Sequence, residues 1–330
     1  MNTKILTFLL IFVFRPLSNA QRFLSGSSKQ EILLWNNSQD IKTYNPVEIV
    51  YSIDHLNGIF VSATHDNLIK TWNIFSQTKF KESNEKQNEL RSVLLLNQSI
   101  CLAGYENYLY FWSYPDLTKV KHIHNTSLNK IKVLKLLKED KLVLIGSSNG
   151  YIHVFSLLSE TIIDSYNSGG NKNTLDVLNR KSLVSDCESN KAICSFYFDS
   201  SNKIIKNKTV CFSTELYAAK IINSSFAIFG VNEVNLVTWD MKSTSVNKIE
   251  SKNAKVYCIE IFDKDTFITG GESGKIIFWN LKNLSIIKEI TKTDIFYVLK
   301  NIDFDFNALV MNSESSKFLS NHSRFVRFLQ

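Results

Sequence analysis

The chain has 330 residues, 44% of them hydrophobic and 21% charged, with three Pro and 11 Gly. That is a folded globular chain of one large domain or two small ones, and it excludes long low-complexity or linker segments. The net charge of +7 is spread over lysines standing singly, such as Lys29, Lys42, Lys70, Lys79, Lys81 and Lys119; this is the pattern of solvated strand edges, which lysine guards against edge-to-edge pairing, and not of a nucleic-acid patch.

The five cysteines, Cys101, Cys187, Cys194, Cys211 and Cys258, are odd in number and include no Cys-x-x-Cys pair. They therefore exclude a disulfide scaffold and weaken zinc and redox readings. A Cys187–Cys194 bridge requires that the two face each other across a hairpin.

In chain order, the first segment is "MNTKILTFLLIFVFRPLSNAQ". Lys4 precedes the apolar run Ile5–Phe14, and Ser18-Asn19-Ala20 places small residues before Gln21. This is the layout of a secretory signal peptide cleaved after Ala20, with a run too short to span a bilayer. The expectation is a signal at residues 1–20, a single domain over 21–330, and a mature chain without a membrane span. The other use of the run is as a first strand of the fold.

Beyond it the chain repeats. "SSKQEILLWN" ends at Trp35 and its neighbour, and is echoed by "THDNLIKTWN" with Trp72, "YENYLYFWS" with Trp112, "SSNGYIHVFS" with Phe155, "NEVNLVTWD" with Trp239 and "GESGKIIFWN" with Trp279. Degraded copies put Ser195 and Asn321 at the aromatic position. The unit is about 41 residues long, and eight copies are counted. Within one unit, Lys255 to Ile290, short β-branched and aromatic runs alternate with Gly, Asn, Asp and Ser turns: "KVYCIEIF", "TFITG", "KIIFWNL" and "SIIKEI". Four short antiparallel strands per unit of this length make a propeller blade. No amphipathic helix is predicted.

The segments "VSATHDNLIKTWNI" and "FITGGESGKIIFWNL" and the Trp239-Asp240 dipeptide resemble the WD40 repeat family, from about residue 23 onward. The resemblance implies a β-propeller in which each repeated aromatic is buried between sheets and Asp66 orders its turn. Asp66 is expected to accept backbone N–H groups and to bond a nearby hydroxyl such as that of Ser62. The family's Gly-His dipeptide is missing throughout.

The first copy has no first strand of its own. The window that should supply it, "FVFRPL" at residues 12–17, contains a Pro that cannot serve a central ladder. The C-terminal "DIFYVLKNI" is the other candidate; it would give seven blades and a tail from about Asp303. The expectation is an all-β propeller of about eight four-stranded repeats, with seven blades and a C-terminal extension as the alternative.

Motifs for nucleophilic, phosphate-binding and metalloprotease chemistry are absent. His122 and His124 alternate on one strand without a third ligand at matching spacing, so no metal and no cofactor is expected. Sequons occur at Asn36, Asn97, Asn125, Asn207, Asn223, Asn283 and Asn321. Asn97 and Asn223 fall in first-to-second-strand turns, and Asn36, Asn283 and Asn321 near third-to-fourth-strand turns. In a propeller these share one face, which any sugars would crowd.

The opposite face carries the second-to-third-strand turns. It is expected to contact a protein or peptide partner through His65, Tyr105, Glu106, Tyr151, Glu188, Glu233 and Glu272. The function expected is that of a non-enzymatic, monomeric scaffold in the secretory pathway or outside the cell. Alternatives are an intracellular adaptor of a multiprotein complex and, remotely, a propeller hydrolase whose residues converge from distant blades.

Overall fold

A computed structural model describes residues 21–302, apart from 37–38, 77, 85–88, 173, 189–190, 213, 234 and 293. Residues 1–20, with the expected signal peptide, and 303–330, with Asn321, lie outside the described residues. Within them the strands form seven four-stranded antiparallel sheets, each running in chain order from its first strand to its fourth, save one. We number the blades 1 to 6 as residues 50–82, 92–124, 131–167, 175–211, 216–250 and 256–291. Blade 7 is composite: Phe296–Asn301 adds antiparallel to Arg22–Ser27, with Leu24 facing Lys300, and is followed outward by Ile32–Asn36 and Gln39–Tyr44.

The expected count of eight is thereby corrected, and the seven-blade alternative is the observed fold. The first sequence copy holds three strands and borrows its innermost from the C-terminal "DIFYVLKNI", so the ring closes by strand pairing and every blade has four strands. One aromatic assignment also shifts. In blade 4, Phe196 faces Leu183 as Trp72 faces Phe60 and Trp279 faces Phe267. The hairpin enclosed by the Ser185–Cys194 pair is one residue longer than the one enclosed by Ser62–Lys70. That extra residue moved the alignment onto Ser195.

The first strands lie side by side around the axis: Val50–Leu56, Ser92–Leu95, Ile131–Leu137, Leu175–Asn179, Leu216–Asn223, Val256–Ile261 and Phe296–Asn301. The fourth strands form the rim. Lys79–Glu82 is wholly exposed, and Lys119, Lys206 and Lys248 lie on others, as the solvated-edge reading expects. Lys70 departs from that reading. It is buried, and donates to the Pro46 carbonyl at 2.7 Å and to Asp66 at 2.5 Å.

Each blade is held by its aromatic column. Trp35, Trp72 and Trp279 stack on Phe23, Phe60 and Phe267 at 5.7, 6.1 and 5.8 Å. Their indole N–H groups donate to Ser25, Ser62 and Thr269 at 2.8, 2.9 and 3.0 Å. Burying one such ring removes about 200 Å² from water, worth roughly 5 kcal/mol. Where Ala103 and Phe229 replace the hydroxyl, the Trp112 and Trp239 N–H groups are buried without an acceptor among the described residues.

Neighbouring blades interlock through a column of small residues on the second strands. A Cβ on Gly104 would stand 2.3 Å from Ile131 of the next blade, and one on Gly230 would stand 2.4 Å from the Val256 carbonyl; only glycine permits that approach. Lower in the channel, ion pairs cross from blade to blade: Lys300–Asp54 at 2.8 Å, Lys135–Asp176 at 3.0 Å and Lys220–Glu260 at 3.1 Å. Burial alone would raise the Asp54 and Asp176 carboxyls. Their lysines and the backbone N–H groups of Leu95 and Ile221 outweigh it and hold both below the usual value.

Candidate functional site

The first strands bulge at their upstream end. Register shifts occur between Val50 and Ser52, Ile131 and Val133, Leu216 and Ala218, and Val256 and Cys258, and the closing strand shifts opposite Gly26 and Ser27. The unpaired residues are Tyr51, Lys132, Tyr217, Tyr257 and Tyr297. Arg91 is their counterpart in blade 2. A bulge frees one residue from the ladder and re-aims its side chain. Repeated around the ring, it sets these residues on the rim of the channel mouth.

The four tyrosines form a continuous arc. Ring centroids lie 5.3 Å apart for Tyr217–Tyr257, 5.4 Å for Tyr257–Tyr297 and 6.4 Å for Tyr297–Tyr51. The Arg91 guanidinium then stacks on Tyr51 at 4.0 Å. All four tyrosines are half-buried. The Tyr217 hydroxyl donates to Glu215 at 2.8 Å, and burial, reinforced by that carboxylate, pushes it up to about 12. Burial, then Glu272, raises Tyr257, and burial, then Tyr51 and Glu272, raises Tyr297. Tyr217, Tyr257 and Tyr297 therefore keep their protons at neutral pH, and the arc presents flat apolar faces with hydroxyls at their edges.

The second-to-third-strand turns flank this mouth, and the sequence-chosen residues divide on it. His65 and Glu106 line an open depression of about 260 Å³ with Tyr51, Asn67, Glu89 and Arg91. His65 is exposed, 3.7 Å from Glu48 and beside the Tyr51 ring at 5.9 Å. Glu272 joins the tyrosine side through Lys255 at 3.0 Å. Tyr151 stacks at 5.6 Å on His153 of its own third strand, while Glu188 lies 3.7 Å from Lys206 and Glu233 3.6 Å from Lys248, both lysines on fourth strands; none of the three lines the depression.

Tyr105 is a correction. It is 1% exposed and packs on Tyr110 at 5.1 Å inside the blade, because it directly follows the second strand, Ile100–Gly104, and its N–H still bonds the Tyr108 carbonyl. Asp66 accepts the Leu68 N–H at 3.2 Å as expected, but its hydroxyl partner is Thr64 at 2.5 Å, since Ser62 is engaged by Trp72. His122 and His124 lie on a fourth strand against Tyr110 and Tyr108, at 5.3 and 4.6 Å.

The tyrosine arc was missed because the repeat was read from its third strand. Its signal is an apolar–Tyr dipeptide recurring at whole-unit spacing: Val50-Tyr51, then Leu216-Tyr217, Val256-Tyr257 and Phe296-Tyr297. The conditional bridge is present: Cys187 and Cys194 are joined across the hairpin of blade 4 with Cα atoms 6.0 Å apart. Among the described residues, the one metal-like grouping, Cys187, Glu188 and Cys194, contains that bridge, whose sulfurs are thereby spent. Asn97 and Asn283 lie in turns, and Asn223 ends the strand Leu216–Asn223, at the end opposite the mouth; their side-chain carbonyls accept N–H groups of Ser99, Ser285 and Ser225.

No family model matches the chain, and no curated protein matches it. Among solved structures it is similar to the crystal structure of the computationally designed Ika8 protein. The TM-score is 0.64 and the identity 14%, over 83% of this chain and 86% of that one. A likeness at that identity shows the fold and nothing further.

Proposed function

We propose that this chain is a non-enzymatic propeller scaffold of WD40 type that holds a protein partner on its channel-mouth face, in the secretory pathway or outside the cell. The observation that carries the reading is the arc Tyr217–Tyr257–Tyr297–Tyr51, capped by Arg91. Tyrosine and arginine are the residue types that anchor protein interfaces. Here they stand on strands fixed by a closed ring, so little ordering cost remains for binding. Mouth carboxylates are tied to cations, Glu272 to Lys255 and Glu89 to Lys130, each at 3.0 Å. Such pairs serve positioning and contact better than proton transfer.

Three features support the location: the layout of residues 1–20, the Cys187–Cys194 bridge, and the sequons Asn97, Asn223 and Asn283 on the face away from the mouth. Expression of the full chain in a eukaryotic host tests it. A product in the medium that starts at Gln21 and loses mass on glycosidase treatment agrees; an intact, unglycosylated cytosolic product overturns the location and favours the intracellular adaptor. The face is tested by a photo-crosslinking residue at position 272 against one at 283. Adducts confined to 283 would overturn the mouth as the contact face.

A further inference from the structure

Blade 4 gathers three of the five cysteines on one face of its sheet. Its second strand is Ser182–Cys187, its third Ala192–Phe198 and its fourth Ile204–Cys211. Ala192 faces Cys187 across one ladder and Cys211 across the next. Cys194 lies two residues further along the middle strand, so the three side chains share a face and Cys194 is diagonal to both of the others. The Cys194 sulfur marks that face on the outer side as well, 3.3 Å from the hydroxyl of Thr209, which stands opposite it on the fourth strand. The three differ in access. Cys187 and Cys194 are bridged and fully buried, whereas Cys211 is exposed and unbridged at the end of the outermost strand. Glu188 connects them. One oxygen of its carboxylate lies within 4.8 Å of both bridge sulfurs. Its Oε2 accepts from the Cys211 thiol at 3.7 Å, and its Oε1 is 3.7 Å from Lys206. Exchange at a disulfide is displacement by an incoming thiolate. Here the middle sulfur has its bonded partner on the strand to one side and a free thiol on the strand to the other.

We propose that Cys187, Cys194 and Cys211 form a thiol–disulfide exchange site, in which Cys211 moves the bridge from the second and third strands to the third and fourth. The Cys211 thiol gives its proton to solvent, and the thiolate attacks the Cys194 sulfur. The Cys194–Cys211 bond forms as the Cys187–Cys194 bond breaks; the electron pair leaves on Cys187, which takes a proton from solvent. One disulfide and one thiol enter the step and one of each leaves it, so no oxidant or reductant is consumed. The outer strand makes the approach, and its last residues are exposed or half-buried, with little packing to resist it. The outcome is a switch in what blade 4 offers. In the resting form an exposed thiol stands at the edge, open to a disulfide on another molecule. In the exchanged form the free thiol is Cys187, buried on the second strand and closed to such chemistry.

The test uses the full chain, folded and free of added thiols, held at about pH 5 or about pH 8, where the thiolate fraction of a cysteine differs widely. Each sample is then acidified, alkylated with N-ethylmaleimide in urea and digested with pepsin without reduction, and linked peptides are identified by mass. At the lower pH the expected map is Cys187–Cys194 with alkylation on Cys211. At the higher pH a peptide linking Cys194 to Cys211 should appear, with alkylation lost from Cys211 and gained at Cys187 in equal measure. Cys101→Ser and Cys258→Ser should leave the transfer unchanged, and Cys211→Ser should abolish it. Cys187→Ser removes the leaving sulfur; treated with oxidised glutathione, that variant should close a Cys194–Cys211 bridge as the glutathione is reduced. In a mixture of nitrogen-15-labelled and unlabelled chains, every linked peptide should carry one isotope. Alkylation that stays on Cys211 at the higher pH, transfer that persists in Cys211→Ser, linked peptides of mixed isotope, or a Cys187→Ser chain that holds glutathione instead of a bridge would each overturn the site.

Discussion

Blades 6 and 4 occupy the same frame and are filled differently. In blade 6 the two contrasted places are apolar or empty: Val256 begins its first strand and Gly270 admits Phe296 of the next blade, while Trp279 stacks on Phe267 with its N–H on Thr269. In blade 4, Lys172 falls in the register place of Val256 and Asp186 in that of Gly270. Both are fully buried, 3.9 Å apart, and Lys172 donates to the Asp186 carbonyl. Asp186 also accepts from the Thr174 N–H and the Ser185 hydroxyl. Phe196 replaces the tryptophan, and Cys187–Cys194 ties the hairpin. The frame therefore specifies shape and polar satisfaction at each place, and hydrophobic burial is one of several ways to meet it.

Breaking the buried pair is the strongest test of that contrast. Asp186→Ala leaves the Lys172 ammonium without its countercharge and is expected to cost about 3–5 kcal/mol in urea unfolding. Burial already pushes Lys172 below its usual value, with Asp186 opposing. The double variant Lys172→Met with Asp186→Ala should recover most of the loss, because an apolar pair restores what blade 6 has. Equal losses in single and double variants would mean that the two residues act independently.

The bridge comes next. By the chain-entropy account a loop with a sequence separation of 7 contributes about 2–3 kcal/mol, so the double variant Cys187→Ser, Cys194→Ser should unfold at correspondingly lower urea. The denatured, unreduced chain should expose only Cys101, Cys211 and Cys258 to a thiol reagent. Labelling of all five would refute the bridge.

How much of this contrast the sequence disclosed follows from what repeats. The column Trp35, Trp72, Trp112, Phe155, Trp239 and Trp279 is legible because large aromatics recur at one spacing. Phe196 was displaced by one because its hairpin carries an extra residue, which only the ladder reveals. The blade number was miscounted because ring closure joins residues 296–301 to 22–27, a pairing no local pattern encodes. Tyr105 was misplaced because a strand end and a turn start look alike in sequence. Tyr51, Tyr217, Tyr257 and Tyr297 were present as a spaced dipeptide, but their convergence depends on a bulge, which is a property of pairing rather than of composition.

The channel belt gives a smaller, pH-dependent effect. Asp176 of blade 4 is held low by Lys135, Lys220 and the Ile221 N–H against its burial, so the unfolded chain binds the first proton as pH falls. Its contribution is present above about pH 4, the unfolded value, and is lost as pH falls through the lower folded value. Unfolding free energy should therefore rise with pH across that window. Asp176→Asn should flatten the slope while also lowering stability at neutral pH; an unchanged slope would remove Asp176 from the acid transition.

The finest comparison concerns a single hydrogen bond. Trp279→Phe and Trp239→Phe lose the same volume, but the first also strands the Thr269 hydroxyl, whereas the second removes an N–H with no acceptor among the described residues. Trp279→Phe should therefore cost about 1 kcal/mol more. The converse substitution works in blade 2, where Ala103 stands at the place of Ser62 and the Trp112 N–H is stranded. Ala103→Ser supplies an acceptor in a buried site with a waiting donor, so stability should rise by up to about 1 kcal/mol. A gain there, together with the Trp279 deficit, would locate the hydroxyl as the separable polar part of an aromatic column whose main strength is stacking. A loss would mean that blade 2 has already closed around its alanine, and that its packing differs from blade 6 more deeply than the register shows.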